Sequence, residues 1–267
     1  MTAVAAPQRQ ILLPAAAVLA VLTVLLQTTY PLVHGSARSA LTIVTVVAFF
    51  AATVTHALGT RGGRWTTGFL LITAGGGLVA EAVGTRTGWP FGAYHYTEAL
   101  GAQLLGVPVV IPLAWAMFGY PSLLVGQRLA ATPVRAALVG ALALASWDVF
   151  LDPQMVAAGH WRWADVRHTV PGISGIPVSN FAGWLVVAAL MLGLLQLLPR
   201  GGQDDRLPCA LFAWTYVSSV LANAAFFGRP GVALVGGLVM GLVALPLLRT
   251  MRHPRPAAAA RPAVRAG

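Results

Sequence analysis

Eight runs of mostly apolar residues, each near the ~20 that carry a helix across a bilayer, dominate this chain. They lie at about 11–31, 39–58, 66–84, 105–126, 134–152, 178–198, 207–227 and 231–248. Only 9% of the 267 residues are charged and 57% are hydrophobic, whereas a soluble domain carries about 25% charged residues. So little charge cannot cover a water-facing surface. The expected fold is therefore all-α: a polytopic membrane helix bundle of about eight transmembrane helices. The first run is too long for a signal-peptide core and no small-residue cleavage site follows it, so it is expected to be retained as a helix. Pro153 is expected to end the fifth.

Charge fixes the expected orientation. The net charge of +10 comes from 17 basic residues against 7 acids. Every basic residue is arginine, scattered singly between apolar blocks with no basic face, which argues against nucleic acid as a partner. Alternating the eight spans puts Arg9, Arg61, Arg64, Arg128, Arg135, Arg200, Arg206, Arg249, Arg252, Arg255, Arg261 and Arg265 on one side. Arg38, Arg86, Arg162, Arg167 and Arg229 fall on the other. The positive-inside rule then predicts a multi-pass protein of the cell membrane with both termini cytoplasmic. Residues 1–250 read as one integral membrane domain. The Arg/Pro/Ala stretch 251–267 reads as a disordered tail lying against anionic lipid. Cys209, the single cysteine, allows neither an internal disulfide nor a cysteine metal cluster.

Two connections, 85–104 and 153–177, are long and rich in aromatic residues and glycine. Both fall on the outer side and are expected to lie at the interface or to re-enter the membrane. They are related to each other. At an offset of 67 positions Glu81 matches Asp148, Gly92 matches Gly159, Tyr94 matches Trp161, Tyr96 matches Trp163 and Glu98 matches Asp165. After a two-residue insertion Gly106-Val107-Pro108-Val109 matches Gly175-Ile176-Pro177-Val178, and Trp115 matches Trp184. This predicts a duplicated helix–loop–helix unit, about 66–126 and 134–198. Both copies start on the same side, so they are parallel repeats related by an axis along the membrane normal.

An ionised group at membrane depth costs about 2.5–3.5 kcal/mol or more and marks function. Asp204 and Asp205 sit in a cytoplasmic loop, and Glu98 and Asp165 in the aromatic loops. Glu81, Asp148 and Asp152 lie in or at the ends of apolar helices. Asp148 and Asp152 share a helix face, one turn apart. The bland alternative is a structural pair neutralised by Arg86, Arg162 or Arg167. Asn180, Asn223 and His56 read as ordinary interhelical hydrogen-bonding groups, with His56 at the far side from the acids. Gly75-Gly76-Gly77 reads as close helix packing.

These residues carry a resemblance. Thr87-Gly88-Trp89-Pro90-Phe91-Gly92-Ala93-Tyr94-His95-Tyr96 followed by Gly106-Val107-Pro108 is similar to a signature of the membrane carotenoid hydratase family. So are Trp147-Asp148-x-x-Leu151-Asp152-Pro153-x-Met155-Val156, Gly159-x-Trp161-x-Trp163 and Gly175-Ile176-Pro177-Val178-Ser179-Asn180-Phe181-x-Gly183-Trp184. The likeness is strong over about 81–184, and reaches the flanking helices only through hydropathy.

The resemblance implies cofactor-independent addition of water to the terminal isopropylidene double bond of an acyclic carotenoid, giving a tertiary alcohol. It implies a lipid-soluble carotenoid, water and membrane lipids as partners, together with other enzymes of carotenoid biosynthesis. No nucleotide motif, flavin fingerprint or metal-ligand cluster stands in the sequence, so no cofactor and no metal are expected. The roles follow from the chemistry. A carboxylic acid must protonate the less substituted alkene carbon, and Asp148 or Asp152 is the expected donor because neighbouring acids share a proton. Glu81 is expected to orient water. Trp89, Tyr94, Tyr96, Trp161 and Trp163 offer ring faces to the cation and, with Asn180, are the expected substrate-binding residues.

Two other classes compete. Membrane prenyltransferases hold magnesium diphosphate with clustered aspartates, usually in two motifs, whereas here only Asp148-x-x-x-Asp152 is present. A proton-coupled transporter also uses parallel repeats and intramembrane acids, but expects broken helices near the midplane rather than acids near one surface.

Overall fold

The computed structural model describes residues 6–200 and 204–252. Eight helices among them are long and apolar enough to cross a membrane: α1 Gln8–Leu32, α2 Gly35–Arg61, α3 Gly63–Thr87, α4 Val110–Leu129, α5 Pro133–Ala157, α6 Val178–Leu195, α7 Arg206–Phe226 and α8 Pro230–Arg252. The protein is thus an all-α, multi-pass membrane bundle. The tail from residue 253 onward lies outside the described residues.

α4 and α5 form the centre. Their most apolar windows are 72% and 67% buried by protein, against 17% for α1, so α1 is the helix most dependent on lipid. Small residues let the central pair approach: a side chain at Gly126 of α4 would run into the Ala136 carbonyl, and one at Gly140 of α5 would stand 3.0 Å from the Ser122 carbonyl. Close backbone approach is the usual route to dispersion contact between membrane helices, where no hydrophobic force drives association. Outward faces stay apolar; Leu234, Leu238 and Leu242 form an exposed stripe along α8 at the i,i+4 spacing that one helix face requires.

Helix boundaries depart from hydropathy in two instructive places. α4 starts at Val110, several residues later than expected, because Gln103–Leu104 and Val107–Pro108 pair as a small hairpin, β2 and β3. α5 does not stop at Pro153 but continues to Ala157. Gly159, with φ +77°, ends it, while the His160 amide returns to the Met155 carbonyl at 3.0 Å. A proline this close to a helix end removes one amide bond and adds a local clash. Burial of the apolar Met155 in the last turn offsets part of that loss.

The two aromatic loops lie at the same end of the bundle. They meet each other across its end. β1, Tyr94–Tyr96, pairs antiparallel with β4, Trp161–Trp163, placing Tyr94 opposite Trp163, His95 opposite Arg162 and Tyr96 opposite Trp161. Alternate residues of a strand face opposite ways. His95 and Arg162 are accordingly exposed, while the four rings turn toward the helices.

Candidate active site

Glu81 of α3 is buried and surrounded by donors. The Tyr96 hydroxyl donates to its Oε2 at 2.7 Å, the Tyr94 hydroxyl donates to the same oxygen, and Trp115 Nε1 donates to Oε1 at 3.0 Å. The local sequence explains the fit. Gly77 lies one turn before Glu81 on the same face, and a Cβ there would stand 2.7 Å from the Trp115 ring. Only a glycine lets that indole lie flat enough on α3 to reach the carboxylate. Gly84, one turn later, leaves equivalent room for Phe91 and the Tyr94 hydroxyl.

Asp148 and Asp152 are buried on α5. Asn180, in the first turn of α6, bridges them: its Nδ2 donates to Asp148 Oδ2 at 2.7 Å and to Asp152 Oδ2. Trp161 Nε1 donates to Asp152 Oδ1 at 3.1 Å, while Asp148 Oδ1 is buried without a partner. α6 is held for this task by Ser179, whose hydroxyl donates to the Phe91 carbonyl at 3.3 Å.

The ladder lays its rings over these acids. Tyr94 and Trp163 have centroids 4.8 Å apart, Tyr96 and Trp161 5.6 Å. Burial first, then the Glu81 carboxylate beside them, pushes both Tyr94 and Tyr96 phenols well above their ordinary pKa, so they stay protonated as donors. Beneath the rings is a cavity of about 30 Å³, with Glu81, Asp152 and Asn180 in its wall. A water needs about 10–15 Å³ of such space, so the cavity has room for a water but not for a whole isoprene unit. Its partition of Ile111, Ala114, Leu151 and Trp161 is shared with a second cavity, of about 140 Å³.

The fold thus brings Glu81, Asp148, Asp152, Tyr94, Tyr96, Trp161, Trp163 and Asn180 together. Trp89 is not brought in: it is 66% exposed, because the tight turn after α3 directs it away from the bundle. Asn180 stands at the site, yet its amide is spent on the two aspartates rather than left free for a substrate. Arginine does not neutralise the acids. Among the described residues the ion pairs are Arg128–Asp205 and Arg167–Asp165, and Arg86 donates to the Ala82 carbonyl at 3.2 Å. The Arg167 guanidinium holds the exposed Asp165 carboxyl below its usual range. Glu98 is exposed. His56 lies at the other end of the bundle, 3.0 Å from the Tyr120 hydroxyl.

Two members were missed from sequence. In the sequence Trp115 matches Trp184 only as a repeat position, yet its indole binds Glu81. Trp184 stacks on it, with centroids 4.0 Å apart. Their shared place in the duplicated pattern was the available signal.

The family model described as "Carotenoid biosynthesis protein" matches residues 38–245. A protein of Haloarcula japonica named bisanhydrobacterioruberin hydratase is 37% identical over 150 residues, which is 53% of this chain and 49% of that protein. The match therefore spans about half the length of the relative. No solved structure matches the chain.

Proposed function

The chain belongs to the carotenoid biosynthesis protein family, and from that premise we propose that it is a carotenoid hydratase, adding water to the terminal isopropylidene double bond of an acyclic carotenoid. The single observation that carries the reading is the water-sized cavity with Glu81 and Asp152 in its wall. A proton source, a base and a berth for the second reactant stand around one cavity.

In the proposed reaction one acid of the Asp148–Asp152 pair is protonated. Two bare charges side by side in an apolar surround are too costly, and Asn180 holds both carboxyls against one amide. Asp152 is the better placed donor, since it lines the cavity and Asp148 does not. Its O–H bond breaks, and the proton goes to the less substituted alkene carbon, leaving a tertiary cation. The faces of Tyr94, Tyr96, Trp161 and Trp163 stabilise that charge. The oxygen of the cavity water bonds to the cation, and the water's surplus proton returns to the emptied aspartate, directly or by way of the Glu81 carboxylate. One water is added and the catalyst is restored. No electrons are exchanged, so the residues alone suffice.

Around this chemistry the proposal places two parallel copies of a helix–loop–helix unit, in the cell membrane, with both termini cytoplasmic and the aromatic ladder outside. The repeat is supported by the β1–β4 register, whose local two-fold relates residues 94, 95 and 96 to 161, 162 and 163. The orientation is supported by the arginine distribution.

The test is expression in cells that accumulate lycopene. The expected product is heavier by one water with its polyene absorption unchanged. Unmodified lycopene beside a membrane-inserted protein would show the reading to be wrong for that substrate end.

A further inference from the structure

The acid cavity is too small for a whole isoprene unit, but its neighbour is not. The larger cavity, about 140 Å³, lies between α1, α2, α4, α5 and α7, on the far side of the Ile111–Ala114–Leu151–Trp161 partition. An apolar cavity of roughly 150 Å³ stays dry and accepts a six-carbon ring, so this space suits one five-carbon isoprene unit.

Three of its hydroxyl groups do not contradict an apolar guest. Thr42 donates to the Arg38 carbonyl at 2.9 Å, Thr215 to the Leu211 carbonyl at 2.9 Å and Ser218 to the Thr215 carbonyl at 3.3 Å. These three donors are turned back on their own helices and ask nothing of an occupant, while Gln27, Tyr30, Gln154 and Ser219 keep polar atoms in the wall. Thr45 alone keeps a buried hydroxyl without a partner. Met117, Phe150 and Trp147 supply apolar wall beside them.

We propose that this second cavity is the berth of the carotenoid's terminal isoprene unit, and that Ala114 is the narrow point past which the terminal double bond reaches the acids. The inference rests on the hydratase reading and extends it by giving each reactant its own entry: water from the Glu81 side, and the hydrocarbon from the Met117 side, with only its terminal double bond passing the partition to the acids and rings. Ala114 has the smallest side chain of the partition, and it faces both cavities. Passage there depends on one methyl group where a larger side chain would close it.

The test uses the full chain purified in mild detergent from lycopene-accumulating cells, with lycopene per protein read by absorbance. Asp152→Asn is expected to retain lycopene without converting it. Adding Ser218→Phe, which fills the berth from the wall opposite the acids, should lower retention at least tenfold. Ser219→Phe serves the same purpose if the first variant does not elute as a folded protein. Ala114→Phe should retain lycopene yet lose at least tenfold in conversion. Undiminished retention in a folded Ser218→Phe or Ser219→Phe protein overturns the berth, as does a parent that retains none. If wall substitutions expel lycopene but the wild type forms no hydrated product, the berth stands and the hydratase reading falls. Hydration with unaltered retention gives the reverse.

Discussion

Trp115 of α4 and Trp184 of α6 stack face to face, ring centroids 4.0 Å apart and planes 13° from parallel. They are the tryptophans that the internal match pairs, and residues equivalent under a two-fold can touch only near its axis. The β1–β4 ladder meets the same requirement at the end of the bundle. One partner of the stack also binds Glu81, so the proposed axis runs beside the acids. At the same offset Glu81 matches Asp148, whereas Asp152, which lines the cavity, matches Thr85.

That arrangement has a direct check. His95 and Arg162 face each other in the ladder and are exposed, and the native Cys209 is buried. His95→Cys combined with Arg162→Cys should be joined by a short bifunctional thiol reagent, and the pair should shift on a gel. Failure to cross-link in a membrane-inserted protein would contradict the register.

Orientation is tested by reporter fusions after Arg135 and after Arg167. The arginine distribution predicts opposite sides, cytoplasmic and external respectively. Finding both on one side would refute the eight-span alternation.

Asp152→Asn and Asp148→Asn should each lower conversion about 100-fold or more, the usual scale for a lost general acid, while the protein still inserts. Glu98→Gln should stay within about twofold, being exposed and of the kind of surface change that costs little. Near-wild-type conversion in both aspartate variants would end the acid-pair mechanism, whatever became of the family assignment.

Gly77→Ala should act through Trp115. The added methyl would stand 2.7 Å from the indole, and overpacking of this kind costs about 1–3 kcal/mol. Lower thermal stability together with reduced conversion is expected. Gly75→Ala, where nothing lies within 4 Å, should do neither. Equal behaviour of the two variants would remove the claim that Gly77 seats the indole.

Loss of the Tyr96 hydroxyl by Tyr96→Phe should weaken the site without emptying it. Hydrogen bonds to charged groups contribute about 1.5–3 kcal/mol, and Glu81 keeps Tyr94 and Trp115 as donors. A partial loss of conversion, roughly 10-fold to 100-fold, is expected in the lycopene assay, against abolition for Glu81→Gln. No effect would mean that the Tyr96 contact is idle.

The sequence by itself determined the helical spans, because lipid offers a backbone no hydrogen bonds and so forces each crossing into about twenty apolar residues readable one segment at a time. It also showed the acids of interest, since a carboxyl within such a segment stands out against apolar neighbours. Tertiary structure alone decided how they are used. Asp152 rather than Asp148 lines the cavity, Asn180 clamps the pair, Trp89 faces outward, and Trp115 serves Glu81. These outcomes turn on how closely helices approach at Gly77, Gly126 and Gly140 and on which residues of two distant loops meet. Such contacts form between segments far apart in the chain, where hydropathy, a local property, carries no information about partners.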